Sequence, residues 1–320
     1  MTTALVFGTG AIGGFYGSLL ARQGVQVSVV CRSDYSHIKQ HGFQINSHEL
    51  GQWSFQPAQT FNSTAAVKTP VDYLLVCTKV LENLDRVKLI KPAVGIKTTI
   101  VLIQNGIAIE DEIIAAFPDN EVVSGLAFIC SNRISPGEIE HLAYGRLTLG
   151  NVPSGFSEKT RCLATFFNDA GIDCQLSESI TTARWQKCIW NAPFNPLSVL
   201  SGGLSTQTIL QTQEPLIRAI MQEVFTIATV LGHRLPGDII ETNINHTQQM
   251  PPYKTSMLLD YQAGRPMEIN AILGNAIKAA AHTNTECPHL KTLFALLQLT
   301  ELTEPVKRSE TPRASQNTLG

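Results

Sequence analysis

The stretch ALVFGTGAIGGFYGSLLARQGVQVSVVCR, residues 4–32, decides the fold. It opens on a short apolar strand, ALVFG. A glycine-opened helical segment follows and stops at Gly24. A second strand, VQVSVVC, is rich in β-branched residues. Between strand and helix, Gly8, Gly10 and Gly13 take the spacing GxGxxG. The first glycine permits a tight turn, the second lets backbone approach a pyrophosphate, and the third lets helix and strand pack closely. The helix amino end supplies free N–H groups and a positive dipole for phosphates. Such spacing alone is a weak signal, because glycines punctuate many loops. Strand, turn, helix and second strand in order within about 30 residues make it a dinucleotide site. Gly8, Thr9, Gly10, Ala11, Ile12 and Gly13 are then the turn that holds the cofactor.

Outward from this unit, VDYLLVCTK (residues 71–79) and TTIVLIQNG (residues 98–106) are near-continuous apolar runs. Runs of that kind are expected of parallel strands covered on both faces. Alternation of strands and helices through residue 176 predicts a Rossmann-type, doubly wound α/β sheet over residues 1–176. From about residue 178 the β-branched runs vanish. EPLIRAIMQEVFTIATVLG (residues 214–232), opening near Glu214-Pro215, and EINAILGNAIKAAAHTN (residues 268–284) read as helices. An all-α second domain is expected over 177–305, with a cleft at the join and a polar tail over 306–320.

Bulk composition limits the partners. The 320 residues carry 24 basic and 26 acidic side chains, a net charge of −2, with 43% hydrophobic residues. So balanced a charge argues against nucleic acid or an anionic membrane as partner. Seven cysteines, with no CxxC pair, fit reduced thiols in a cytoplasmic protein better than disulfides or a zinc site. No apolar run approaches the ~18 residues of a membrane helix, and no signal peptide is visible ahead of the first strand. Oligomeric state is not legible; a monomer or a homodimer fits.

Several polar residues fall where ligands bind. An NAD site usually carries Asp or Glu at the end of the second strand, to bond the ribose 2′-hydroxyl. This chain has Arg32 there, which suits the 2′-phosphate of NADP(H). In the alternative, Arg32 is a solvated loop residue and Asp34 takes the ribose. Lys79, closing LLVCTK, is either a second cation for the phosphate or a surface lysine. Asn105, closing LIQNG, lies at a strand carboxyl end, where ligands sit in open α/β sheets; an Asn-Gly pair is also an ordinary turn.

The segment RWQKCIWNAPFNPLSVL, residues 184–200, is apolar yet carries Lys187, Asn191, Asn195 and Ser198. On a helix these share one face. Burying an amine and two amides without partners costs several kcal/mol, so this face should meet a polar ligand or an interhelical network. Pro193 and Pro196 predict a bend or break. In PPYKTSMLLDYQAGRPMEIN, residues 251–270, Ser256 reads as a helix cap and Glu268 as a helix-start acid.

Taken together, GTGAIGGFYG, Arg32, CTK, QNG, KCIWNAPFNPLS, TSMLLD and GRPMEIN resemble the ketopantoate reductase (2-dehydropantoate 2-reductase) family, in the family's order over residues 8–270. The resemblance implies NADPH-dependent reduction of 2-dehydropantoate to (R)-pantoate in pantothenate biosynthesis. It makes Lys187 the catalytic acid and Glu268 the glutamate that orients it. Asn105, Asn191, Asn195 and Ser256 become substrate contacts, with Asn105 and Glu268 also touching the cofactor. Arg32 and Lys79 become the pair gripping the 2′-phosphate. Pro193, where a helix-compatible residue is usual, and Tyr253, where some members have an asparagine, depart from the pattern and bear on substrate choice. The competing expectations are a reductase of a different 2-oxo acid and a non-catalytic NADPH-binding sensor.

Overall fold

Apolar runs of four or five residues, each closed by Gly or a polar pair, build the strands that position the glycine turn. The computed structural model describes residues 1–302; the polar tail expected over 306–320 lies outside the described residues. Strands are β1 (Thr3–Phe7), β2 (Gln26–Val30), β3 (Phe43–Ser47), β4 (Gly51–Phe55), β5 (Thr60–Phe61), β6 (Tyr73–Val76), β7 (Thr99–Ile103), β8 (Val122–Ser135), β9 (Glu138–Asn151) and β10 (Cys174–Leu176). Between them run α1 (Ala11–Arg22), α2 (Tyr35–His41), α3 (Arg86–Ile90), α4 (Asp111–Ala116) and α5 (Glu158–Asp169).

The described strands form one sheet in the order β4-β3-β9-β8-β7-β6-β1-β2-β5, with β10 against β9. Pairing is parallel from β8 through β7, β6, β1 and β2 to β5. Strand β1 shows why its run is unbroken by polar residues. Ala4 and Val6 enter one core, under α1, while Leu5 and Phe7 enter another on the opposite face. The chain leaves β1 toward β2 and later returns to β6 on β1's other side. That reversal is the switch point outside which ligands of open α/β sheets bind.

Two antiparallel hairpins extend this frame, β3–β4 and the long β8–β9 pair of 14-residue strands. The β8–β9 register shifts at Phe128/Ile129, Cys130/Ser131 and Arg133/Ser135, bulges that bend and twist the ribbon. Neither hairpin is legible in a scan for continuous apolar runs: β3 alternates buried with less buried residues, β4 is mostly exposed, and past Gly125 the residues of β8 are half-buried or exposed.

From residue 180 the described chain is helical: α6 (Ile180–Leu200), α7 (Thr206–Val230), α8 (Ile239–Gln249), α9 (Ser256–Gln262), a π-helical turn over Asn270–Gly274, α10 (Asn275–His282) and α11 (Pro288–Glu301). Of the bend or break expected at Pro193 and Pro196, no break occurs; α6 is one continuous helix with both prolines inside. An interior proline costs about 3 kcal/mol. Ile189, Ala192, Phe194 and Val199 of this helix are core residues, and a large buried apolar side chain is worth about 1.5–3 kcal/mol. Packing against α7, α8, α9 and α11 therefore outweighs the local penalty. In α7 it does not: Gln213 leaves helical geometry at φ −134°, ψ 33°, two residues before Pro215. No described helix is long and apolar enough to cross a membrane.

Candidate active site

The glycine turn has the shape that phosphate binding needs. Gly8 sits at φ +96°, and a Cβ there would stand 2.7 Å from Thr78 N after β6. A Cβ on Gly13 would stand 2.0 Å from the Gly8 carbonyl oxygen. Around Gly10, the residue capping α1, a Cβ would meet nothing within 4 Å. Space is thus closed on the protein side and open where a pyrophosphate would approach the first-turn N–H groups. Thr9 is buried beside the Cys31 thiol, and Ile12 packs on the sheet core. These residues fit a dinucleotide.

The two candidates after β2 separate clearly. Arg32 is exposed, and its guanidinium has no hydrogen-bond or ion-pair partner among the described residues. Asp34 is buried; it accepts from Ser33 Oγ at 2.7 Å and forms an ion pair with Arg133 of β8. Lys79 has protein partners of its own. Its Nζ lies 2.6 Å from Asp260 of α9 and 3.0 Å from the Pro266 carbonyl oxygen, so it joins the sheet to the helical region.

Lys187 projects from α6 toward the turn after β7 and the middle of β8. Its Nζ donates to Asn105 Oδ1 at 2.9 Å and to the Ala127 carbonyl at 2.6 Å. The Asn105 amide donates onward to Glu268 Oε2 at 3.4 Å, and Glu268 Oε1 accepts the Val80 N–H at 3.0 Å. Glu268 therefore reaches the ammonium through Asn105 rather than directly. Burial, reinforced by the like charge of Arg184, pulls the Lys187 ammonium down to about 8, against the opposing pull of Glu268. Burial raises the Glu268 carboxyl above its ordinary range. The Val80 and Asn105 donors and Lys79 oppose that rise, and Asp260 adds to it.

One and two turns along α6, Asn191 and Asn195 are 8% and 3% exposed, yet neither side-chain amide has a hydrogen-bond partner among the described residues. Asn191 lines a cavity shared with Lys187, Arg184, Gly106, Leu126 and Ile272. Neither amide is among the enclosed, unsatisfied groups of the described residues; both keep some solvent contact, which a polar ligand would replace. Ser198 belongs instead to the interhelical network: it donates to the Asn195 carbonyl at 2.9 Å and lies 2.6 Å from Thr255 Oγ1. The cap of α9 is Thr255, which accepts the Leu258 N–H at 3.2 Å; Ser256 is the exposed first helical residue, its hydroxyl unpartnered within the described residues. Tyr253 lies half-buried beside Cys130 and Trp190.

Sequence reasoning missed the clamp behind Asn105. Arg184, one turn before Lys187, is 2% exposed and paired with the 1% exposed Glu110. Its Nη1 donates to the carbonyls of Gln104 at 2.8 Å and Gly106 at 3.1 Å, on either side of Asn105. From the far side, Ile107 N bonds the Ala271 carbonyl at 2.9 Å and Asn275 Nδ2 the Ile107 carbonyl at 2.7 Å. An arginine inside an apolar helical run was the available signal.

A family model described as "Ketopantoate reductase PanE/ApbA" matches residues 4–154, and its C-terminal counterpart matches residues 179–301. The 2-dehydropantoate 2-reductase of Nostoc sp. is 33% identical over 299 residues, covering 92% of this chain and 93% of that protein. The crystal structure of 2-dehydropantoate 2-reductase from Methylococcus capsulatus superposes with a TM-score of 0.91 at 57% identity, covering 96% of this chain and 98% of that one. The structure of the enzyme of that name from Geobacter metallireducens gives 0.87 at 32% identity, covering 93% and 99%.

Proposed function

The chain belongs to the ketopantoate reductase family of NAD(P)-dependent oxidoreductases, and from that premise we propose that it reduces 2-dehydropantoate to (R)-pantoate with NADPH, the reductive step toward pantothenate. The observation that carries the reading is the Lys187 ammonium held at 2.9 Å by Asn105, with Asn191 lining the same cavity.

The Gly8–Gly13 turn would hold the pyrophosphate and Arg32 the 2′-phosphate; the bound reduced nicotinamide supplies the hydride. As a C2 ketone becomes an alkoxide, negative charge grows on its oxygen. Lys187 stabilises that charge and gives up a proton to the oxygen. A pKa of about 8 suits both tasks, since the group stays protonated at neutral pH yet is a stronger acid than a free lysine. Asn105 fixes the ammonium through its carbonyl, and Glu268 fixes Asn105 by accepting its N–H. Asn191, Asn195 and the Ser256 hydroxyl offer hydrogen bonds for the substrate's carboxylate and hydroxyl. Lys79, committed to Asp260, acts as a strut between the two regions unless that pair opens.

The test is a panel of 2-oxo acids, each assayed with NADPH and NADH by loss of nicotinamide absorbance. The expected result is the highest kcat/KM for 2-dehydropantoate with NADPH. A higher value for another 2-oxo acid would overturn the substrate assignment, and turnover with none would overturn the enzymatic reading.

A further inference from the structure

We infer that Arg133 is a specificity-determining residue for the cofactor: by pairing with Asp34 it neutralises the one acid placed to favour a ribose hydroxyl and to repel a 2′-phosphate beside Arg32. The inference rests on the proposal that the glycine turn and Arg32 hold NADPH.

The position of Asp34 makes it consequential. It follows Arg32 by two residues at the carboxyl end of β2, and Cys31, which feels its charge, is in contact with Thr9 of the glycine turn. Its Oδ1 is taken by Ser33 at 2.7 Å and its Oδ2 by Arg133. A carboxylate free at this place would accept from a 2′-hydroxyl, as in NAD sites, and would oppose a group carrying nearly two negative charges.

Arg133 is delivered from far along the chain. It stands near the tip of the β8–β9 ribbon, at the last register shift. That tip is anchored on β3, with Gln44 N donating to the Gly137 carbonyl at 2.9 Å. It also rests on α2, the helix that follows Asp34: a Cβ on Gly137 would stand 3.0 Å from the His37 ring. The Arg133 side chain is 40% exposed, and Asp34 is its only ion-pair partner among the described residues. With Arg133 present, the trio Arg32, Asp34 and Arg133 carries one net positive charge; without it, none. A guanidinium has five N–H donors, so one pairing with Asp34 leaves donors to spare.

Arg133→Ala should weaken NADPH about tenfold at low salt, the effect of one charge several ångströms from a phosphate near the surface, while NADH binds unchanged or tighter. Adding Asp34→Asn should restore NADPH to within about threefold, and Arg133→Lys should hold it near wild type, since the contact with Asp34 is through one guanidinium nitrogen and not a bidentate fork. Dissociation constants for both cofactors, from nicotinamide fluorescence, give the readout. A loss shared equally by NADPH and NADH, or no restoration by Asp34→Asn, would overturn the inference. Arg32→Ala in the same assay separates it from its premise. If that variant discriminates the cofactors and Arg133→Ala does not, only this inference falls. If Arg32→Ala weakens both alike, the phosphate reading falls and takes the inference with it.

Discussion

Replacing Glu268 with Gln tests whether the Lys187–Asn105–Glu268 chain acts as one electrostatic unit. The two contacts are 2.9 and 3.4 Å long, and the amide between them adds about 2.3 Å, so the charges stand no more than about 8.5 Å apart. At the effective dielectric of about 20 that suits buried groups, a unit pair at that distance is worth about 2 kcal/mol, or roughly 1.4 pKa units. Glu268 raises the Lys187 pKa, so its loss lowers it. The ammonium is the working form; activity is present below its pKa and lost as pH rises through it. The alkaline limb of kcat/KM, expected near pH 8 in the wild type, should therefore move down by about 1 to 1.5 units in Glu268→Gln. Steady-state NADPH oxidation with 2-dehydropantoate across the neutral to alkaline range measures it. Gln offers one oxygen, so it keeps either the Val80 N–H or the Asn105 amide bond but not both, because the carboxylate accepts them on separate oxygens; the position of the limb, not the rate, is therefore the readout. A limb that stays put, or moves up, would mean that no charge on Glu268 is coupled to the lysine, and the relay reasoning would fail.

Lys187→Ala should retain NADPH binding while kcat falls by about 10²–10⁴, the worth of a positioned proton donor; equilibrium cofactor titration beside the rate assay checks both halves. Arg184→Leu should cost about 3–5 kcal/mol in denaturant unfolding, because Glu110 is left as a buried, unpaired charge. The double change Arg184→Leu, Glu110→Leu should recover part of that stability but little activity, since the carbonyls flanking Asn105 lose their clamp in both.

The glycine turn, its flanking strands and its helix are legible because their causes are local. Gly8 and Gly13 are required by contacts inside a single strand–turn–helix unit, and β1 and β7 alternate into two cores without help from distant residues. Lys187, Asn191 and Asn195 are legible for a related reason: polar groups at four-residue spacing in an apolar run imply a buried polar face whatever lies opposite. Local rules say less where tertiary contacts decide. Proline chemistry allows a bend or a break at Pro193 and Pro196, and the burial of Ile189 and Phe194 keeps the helix continuous. Lys79 stands where a phosphate cation is expected, and nothing in the sequence signals the partner it has here, Asp260, some 180 residues later. Nothing local says that the ribbon turning at Gly137 carries Arg133 to Asp34.

Asn105 shows the limit most sharply, and the reason an amide is needed there is physical. The residue just after β7 must accept a hydrogen bond from an ammonium on α6 and donate one to the Glu268 carboxylate. A side-chain amide does both at once with fixed polarity and no titration of its own. Asp in its place would set a second carboxylate against Glu268, raising both pKa values further in a site where burial already raises one. Ser could turn its hydroxyl either way but is too short to span the gap. The Asn-Gly pair is readable as a turn, and Gly106 does adopt φ +114°, a geometry reserved for glycine because a Cβ would stand 2.8 Å from Ala271. The turn thus exists to aim the amide. That purpose emerges only when β7, α6 and the segment before the π-helical turn are placed against one another, so turn chemistry and proton chemistry coincide at a residue for which the sequence displays only the first.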